Sequence, residues 1–204
     1  MSAADRREAI LGAALDAFAD GGYHETSLDA VAERAGISKA LIYEHFDSKR
    51  DLHGALLETY GRELLDRVTA AIAGATPGEA RLRAGIDAFL GFVEERRDAW
   101  RMLVRNAGEP DVARSVEVLQ ADAASAIGAL MAEDAEAAQL LRREQSGLAI
   151  ETLAQQLTGA VRALANWWDE NREVPRETVL TMAMEFAWLG LERLGEGERW
   201  RGAG

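Results

Sequence analysis

The chain has 204 residues, a formal net charge of −12, 48% hydrophobic residues and no cysteine. A chain without cysteine has no disulfides and no thiolate chemistry, so nothing in its composition indicates an oxidising compartment. The N-terminal residues lack the apolar core of a signal peptide, and no stretch approaches the roughly 20 uninterrupted apolar residues of a membrane span. We therefore expect a soluble cytoplasmic protein.

Helical periodicity runs along the whole chain between short breaks, without strand alternation or an internal repeat. The sequence therefore predicts an all-α protein. The predicted helices cover, in chain order, residues 5–20, 26–35, 39–46, 49–72, 79–96, 99–106, 112–131, 149–170 and 176–194. Residues 134–147 fit either one or two helical turns, and the glycine-rich tail from residue 195 is expected to fray.

The N-terminal helices carry clear start and stop signals. Thr26 has the spacing of an N-cap relative to the acidic residue three positions later, and Ser38 and Ser48 stand at the starts of the next two helices. The glycine pair at 21–22 and Gly36 permit the positive φ that ends a helix. These signals predict three short helices followed by a longer fourth one.

The clearest boundary in the chain is the segment 74–78, which contains Pro77 and two glycines. We predict an N-terminal domain of three helices over 1–48 and a C-terminal helical bundle over 49–204. The fourth helix, at about 49–72, connects the two.

Residues 26–46 have the form of a helix-turn-helix, in which two short helices are joined by a turn that contains glycine. Apolar residues recur at spacings that let both helices share one core: Leu28, Val31, Ala32, Ile37, Ile42 and Phe46. This leaves Lys39, Ala40, Leu41, Glu44 and His45 more exposed. Tyr43 is expected at the margin, with its ring packed and its hydroxyl free. Such an exposed face is what a second helix inserts into a major groove.

The charge balance argues against a broadly basic DNA-binding surface. A nucleic-acid-binding domain is expected to be basic, yet residues 1–50 contain six Lys and Arg against nine Asp and Glu. Contact with DNA must therefore come from a few placed cations. The only two lysines of the chain, Lys39 and Lys49, both fall in or beside the predicted helix-turn-helix.

The run from Ser27 to Leu52 strongly resembles the N-terminal domain of TetR-family transcriptional regulators. The resemblance covers about the first 60 residues and extends back through the first helix to Phe18 and Gly22. The residues that carry it are Ala32, Gly36, Ile37, Ser38, Tyr43, Phe46, Ser48 and Lys49. It implies a DNA-binding regulator, in most cases a repressor, that works as a homodimer on double-stranded DNA and responds to a small molecule.

The resemblance also implies roles for individual residues. Thr26, Tyr43 and Lys49 match positions that usually meet phosphates, so loss of Lys49 is expected to lower the salt slope of binding by about one. The remaining predicted DNA contacts, in the turn and recognition helix, are Ser38, Lys39, Ala40, Leu41 and His45. Where the family often has threonine, this chain has Leu41, which can contact a thymine methyl but cannot hydrogen-bond a base.

The C-terminal half contains no comparable motif. Its aromatic and long aliphatic residues at helical spacing indicate core packing, and the resemblance adds the expectation that some of them line a ligand cavity. A mostly apolar cavity with a few amides suits a hydrophobic or amphipathic effector. The predicted lining residues are Phe89, Phe92, Trp100, Leu103, Asn106, Gln120, Gln155, Gln156 and Trp167.

The last two long helices are predicted to form the dimer interface. The final helix has two apolar stripes, one formed by Val179, Met182, Phe186 and Leu189 and the other by Thr181, Met184, Trp188 and Leu191. A helix that is apolar on two faces is buried on both. Small residues on the preceding helix would let a partner helix approach closely, and such an interface would be isologous. The predicted interface residues are Gly159, Ala163, Met184, Trp188 and Leu191. Burial of both stripes within one chain is the alternative.

The sequence thus predicts a TetR-like regulator released from a palindromic operator by a small ligand. The alternative is an all-helical ligand-binding or interaction protein that no longer binds DNA. A helical enzyme has no supporting motif, because neither a phosphate-binding loop nor a nucleophile elbow is present. The three histidines have no metal-site spacing, so we expect neither a metal nor a cofactor.

Overall fold

The computed structural model describes residues 3–105 and 146–195, together with the helical residues 118, 121, 125 and 127–129. Every regular element in these residues is an α-helix, which confirms the predicted fold class. The helices are α1 (Ala3–Glu25), α2 (Leu28–Ala35), α3 (Lys39–Tyr43), α4 (Lys49–Ala73), α5 (Glu79–Glu95), α6 (Arg97–Arg105), α7 (Ser146–Glu170) and α8 (Arg176–Gly195). None of them has the combination of length and apolarity that crossing a bilayer requires.

The chain divides into two compact units. The first contains Met1–Leu65 and Glu95–Ala121, and the second contains Asp66–Glu94 and Asp122–Gly204. Helix α4 contributes residues to both units. The first unit therefore holds α6 and most of α4 in addition to the three helices of the predicted N-terminal domain.

In the first unit, α1 supplies the central layer, against which α2 and α6 pack. Ile10, Ala14 and Phe18 recur at intervals of four residues and are fully buried, as expected for one face of a helix. The helix was predicted to end at the glycine pair. Instead a kink at Gly22, whose φ is +73°, interrupts it, and helical structure continues to Glu25.

In the second unit, charged side chains join α5 to the start of α8. The Arg176 guanidinium lies 3.3 Å from the carboxylates of both Asp87 and Glu94, and Arg83 lies 2.7 Å from Glu177. Buried apolar residues fill the interior beneath these pairs: Ile86, Leu90, Phe92, Val93, Val179 and Leu180. These contacts hold α8 in a fixed register on α5.

The turn between α7 and α8 is closed by a buried tryptophan. The indole N–H of Trp168 donates to the carbonyl of Val174 at 2.8 Å. Pro175 follows immediately, directly before α8, and its carbonyl accepts a hydrogen bond from the N–H of Val179 at 3.2 Å. The last two predicted helices are therefore confirmed, although α7 begins three residues earlier than predicted.

Candidate nucleic-acid interface

Helix α2 is bounded by a serine and a glycine. The Ser27 hydroxyl accepts a hydrogen bond from the N–H of Ala30 at 3.1 Å and so caps the N-terminus. Gly36, with a φ of +66°, ends the helix in the left-handed conformation, which costs glycine nothing because it has no Cβ. The stop at Gly36 was predicted correctly. The N-cap was placed one residue too early, at Thr26.

Helix α3 begins at the predicted cap. The N–H of Leu41 donates to the Ser38 hydroxyl at 3.3 Å. The helix ends at Tyr43, three residues before the predicted end, and the N–H of Phe46 reaches back to the carbonyl of Ile42 at 2.9 Å. This tight turn directs Phe46, which is only 3% exposed, into the core.

The two helices share the predicted core. Leu28, Val31, Ala32, Ile42 and Phe46 are all buried, and Ile37 is half-buried. Because one side of each short helix is buried in this core, the opposite side faces solvent. The side of α3 that faces away from the core is therefore set by packing.

The solvent side of α3 carries most of the predicted contact residues. Lys39, Ala40 and Tyr43 are exposed, whereas Leu41 and His45 are half-buried. Tyr43 is 51% exposed, so about half of the residue is covered and the other half is open to solvent. The structure thus places these five residues on or beside one short helix.

One cation on this face is already paired. The Lys39 ammonium lies 2.7 Å from a carboxylate oxygen of Asp29, which is near the start of α2. The hydrogen bond that the Lys39 ammonium donates to Asp29 raises the pKa of Lys39 above its ordinary value. Both side chains are exposed, and an exposed ion pair contributes little to stability. The pair is therefore accessible from solvent.

The side chain of Thr26 is buried in the interior of the first unit. Its side chain is 5% exposed, and its hydroxyl lies 2.7 Å from the carbonyl oxygen of Gly22 and 3.0 Å from that of Ala17. These carbonyls belong to the kinked end of α1, so the single hydroxyl proton of Thr26 is directed at this backbone. The Thr26 hydroxyl is consequently not directed at a phosphate.

Lys49 has a similar internal role. Its ammonium donates to the carbonyl oxygens of Tyr23, Thr26 and His24 at 2.8, 3.1 and 3.4 Å. It also lies 4.4 Å from the centroid of the Tyr23 ring. A cation at these positions binds the carbonyl end of α1, where the helix dipole favours positive charge. The side chain therefore fastens the start of α4 to the end of α1.

A buried histidine stands next to this contact, and sequence reasoning did not find it. His53 is fully buried, with its ring edge-to-face against Phe18 at 4.8 Å and Tyr23 at 5.1 Å between centroids. Burial, followed by the positive charge of Lys49, lowers the pKa of His53 to about 4. Its burial could have been predicted from the helical spacing, because His53 lies four residues after Lys49 on the same, inner side of α4.

Comparison with known proteins identifies the chain. Residues 10–56 match the family model described as bacterial regulatory proteins of the tetR family. Residues 78–190 match the model for a tetracyclin repressor-like C-terminal domain. The chain is 31% identical over 196 residues to the HTH-type transcriptional activator FasR of Mycolicibacterium smegmatis, an alignment that covers 93% of this chain and 84% of FasR. The chain belongs to the TetR family.

Solved structures share the same architecture. A TetR-like transcriptional regulator from Rhodococcus sp. RHA1 superposes with a TM-score of 0.77 at 30% identity, over 94% of this chain and 98% of that one. FadR of Bacillus subtilis, solved in complex with stearoyl-CoA, has a TM-score of 0.75 at 15% identity, over 94% and 99%. The protein is therefore a DNA-binding transcriptional regulator and not an enzyme, as predicted.

The residues predicted to line a ligand cavity belong to both units. Phe92 is fully buried in the second unit, where the Arg67 guanidinium lies 5.7 Å from the centroid of its ring, and Phe89 is half-buried. Trp100 and Leu103 are buried in the first unit. Burial at these positions is expected both for core packing and for residues that line a cavity, so the predicted lining stays a prediction.

The predicted polar lining is corrected by the structure. Gln155 and Gln156 are exposed, and Trp167 is 43% exposed, because α7 turns these residues away from the helices it packs on. They do not point inward, so they do not line an internal cavity of this chain. Asn106 and Gln120 lie outside the described residues.

The residues predicted for the dimer interface differ in their exposure to solvent. Met184 is 8% exposed, so it belongs to the core of its own chain and not to a free surface. Ala163 is exposed, whereas Gly159 and Trp188 are half-buried, and the Leu191 side chain lies outside the described set. The exposed apolar residues of α8 are instead Met182, Phe186 and Leu189, at 51%, 77% and 56% exposure. In the other predicted stripe, Val179 is buried and the remaining three residues are exposed.

No group of three or more His, Asp or Glu side chains within the described residues is arranged to hold a metal ion.

Proposed function

We propose that this TetR-family protein binds a palindromic operator as a homodimer, represses the genes beside it, and is released by a hydrophobic or amphipathic effector. The observation that carries the proposal is the solvent face of α3, where Lys39, Ala40 and Tyr43 are exposed above the buried Ile42 and Phe46. A short helix with a fixed outward face is what major-groove reading requires.

In this proposal the DNA contacts divide into two classes. Tyr43 donates its hydroxyl to a phosphate, and Ser38 contacts the backbone beside it. Lys39, Ala40, Leu41 and His45 face the bases. Thr26 and Lys49 are left out as direct contacts because their polar atoms bind carbonyls at the end of α1. We assign to them the task of fixing the position of α2 and α4 relative to α1.

Dimerisation is supported by the exposed stripe on α8. Met182, Phe186 and Leu189 recur at i, i+4 and i+7, and Phe186 is 77% exposed. Exposed apolar side chains in a continuous stripe mark a contact surface, and the neighbouring helix α7 adds the exposed Ala163 and Trp167. A second copy of the same surface would cover this stripe in an isologous arrangement. Each dimer would then present two α3 helices to one duplex.

Release by an effector requires coupling between its site and the DNA-binding face. A ligand lowers operator affinity only if it binds the non-binding conformer more tightly. A hundredfold preference corresponds to about 2.7 kcal/mol, and the operator must weaken ligand binding by the same factor. Helix α4 is the proposed moving part, because Lys49 fastens its start to α1 and its far end belongs to the second unit.

The test has two stages. Footprinting on the DNA upstream of the gene, with Tyr43→Ala as the control, is expected to show one symmetric protected site that the variant does not protect. A reporter fused to that DNA then gives the direction of regulation. Lower expression with the protein supports repression, whereas higher expression would show activation, the role by which FasR is named.

The second stage measures the effector. Stearoyl-CoA is a suitable first probe because a FadR of the same fold was solved with it. Calorimetry with and without operator DNA is expected to give different affinities for a true effector. Equal affinities in the two titrations would contradict release by that ligand.

A further inference from the structure

The ion pair between α2 and α3 combines a donor and an acceptor on the proposed DNA-reading face. The Lys39 ammonium and a carboxylate oxygen of Asp29 are 2.7 Å apart, and the two side chains are 44% and 69% exposed. The two residues come from different helices, so the helix-turn-helix fold itself brings them together. Their remaining hydrogen-bonding capacity points to solvent.

A G·C base pair offers the complementary arrangement in the major groove. Guanine presents two acceptors there, N7 and O6, and cytosine presents a donor, its N4 amino group. O6 and N4 are partners within the base pair, so they lie about 2.9 Å apart, the usual length of such a hydrogen bond. That separation is close to the distance between the Lys39 ammonium and the Asp29 carboxylate.

We propose that Asp29 and Lys39 together read one G·C base pair in each half of the operator, with Asp29 as a specificity-determining residue. Lys39 donates to guanine O6 and N7, while Asp29 accepts from cytosine N4. This inference rests on the operator binding proposed above.

The carboxylate makes the reading selective. A lysine alone binds any guanine and any nearby phosphate, because its ammonium is a point charge with freely rotating donors. A carboxylate near DNA is repelled by phosphates on every sequence and is compensated only where a base donor faces it. Asp29 therefore both holds Lys39 away from the backbone and penalises sites without cytosine at that position.

The chain contains a matched control for this pair. Arg34 and Asp20 form an exposed ion pair at 3.1 Å, with side chains 42% and 70% exposed. Removal of Asp20 changes the net charge by the same amount as removal of Asp29. Because Asp20 lies on α1 and Arg34 on α2, that pair does not include α3.

The experiment measures the affinity of the full-length protein for a set of operators in which each base pair of a half-site is changed in turn. In the wild type, one G·C position is expected to lose about tenfold or more on change to A·T. Asp29→Ala and Lys39→Met are expected to reduce that loss to about twofold, and Asp20→Ala to leave it unchanged. Asp29→Asn is expected to improve binding to an operator in which adenine replaces that cytosine, because an asparagine reads adenine.

Thermal unfolding shows whether each variant is folded, and the two sides of the pair are tested independently. If Asp29→Ala and Asp20→Ala give the same base preferences, the pair is an ordinary surface ion pair and the inference is wrong. The absence of any G·C position that depends on both residues would also overturn it. Failure of the wild type to bind any operator specifically is a different result, and it would remove the proposed function together with the inference.

Discussion

The start of the chain and its final two helices differ in how their side chains come to face solvent. In the helix-turn-helix, Ser27, Gly36 and Ser38 fix the ends of each short helix, and the ends then decide which face is free. In α8, by contrast, both faces are apolar, so no local sequence signal indicates which face is exposed to solvent. Local signals thus determine the first region, whereas packing partners determine the second.

The largest expected effect, on dimerisation and operator affinity, comes from a change in α8, where packing partners determine the exposed face. Changing Phe186 to Glu places a charge in the exposed stripe of α8, and burial of an unpaired charge at a dimer contact is strongly unfavourable. We expect a monomer whose operator affinity falls on the order of a thousandfold, or about 4 kcal/mol. Analytical ultracentrifugation and fluorescence anisotropy measure the two quantities.

Leu148→Glu is the matched control for Phe186→Glu, since Leu148 is 71% exposed on α7 and is not part of that stripe. It is expected to leave both the dimer and the operator affinity unchanged. A Phe186→Glu protein that remains dimeric would show that another surface joins the protomers.

The second effect concerns the buried histidine of the first unit. Because the pKa of His53 is about 4 in the folded chain and about 6.5 in an unfolded one, the unfolded chain binds the proton first as the pH falls. The stability contributed by neutral His53 is therefore complete above pH 6.5 and is lost between pH 6.5 and about 4. The total corresponds to about 3 kcal/mol.

Denaturant unfolding at several pH values measures this loss in the wild type and in His53→Leu. The difference between the two proteins is expected to shift in favour of the variant across that window and to stay constant above pH 7. Parallel pH profiles for the two proteins would mean that His53 is accessible to protons in the folded state. His53→Phe provides a second variant of similar aromatic packing.

A smaller effect is expected at Lys49, which either contacts a phosphate, as the family resemblance implies, or joins α4 to the end of α1, as the structure indicates. Replacement by Met removes two hydrogen bonds to the end of α1 and one to the carbonyl of Thr26 just after it. A bond to a charged donor contributes about 1.5–3 kcal/mol. The carbonyls become partly solvated, so we expect a loss of about 2 kcal/mol in the free energy of unfolding. The salt slope of operator binding is expected to stay the same.

Titration at several salt concentrations gives that slope. A decrease of about one in Lys49→Met would restore the direct phosphate contact inferred from the family resemblance. Arg50→Met is the control, because Arg50 is exposed on the same turn of α4 and its loss leaves the end of α1 intact.

The smallest effect is expected at the exposed tyrosine of α3. Changing Tyr43 to Phe removes only a hydroxyl, so affinity for all DNA sequences is expected to fall about fivefold, or about 1 kcal/mol. Base preferences are expected to remain the same, because a phosphate contact carries no sequence information. A change in preferred bases would place the hydroxyl against a base instead.

Much of the DNA-binding region was predictable because its signals are local. Gly36 and Ser38 were assigned from sequence, and both stand where expected. Thr26 was mistaken for the cap because two hydroxyl residues are adjacent. Only contact with the carbonyls of α1 shows that Thr26 is buried and that Ser27 caps the helix.

The features that escaped prediction all depend on contacts between distant positions. Asp29 and Lys39 meet only after α2 and α3 have packed, and His53 is enclosed by rings from α1. On α8, periodicity found both apolar stripes but not which one the chain covers itself. Met184 was therefore assigned to the interface, although it is buried, and Phe186 was not.

The central claim is that two α3 helices, held at a fixed separation by a dimer, read the two halves of one palindrome. Its most direct test inserts five base pairs between the half-sites of the footprinted operator, which rotates one half-site by about half a helical turn. We expect affinity for the spaced operator to fall to that of a single half-site. Equal affinities for the intact and spaced operators would show that each protomer binds alone, and would contradict the account.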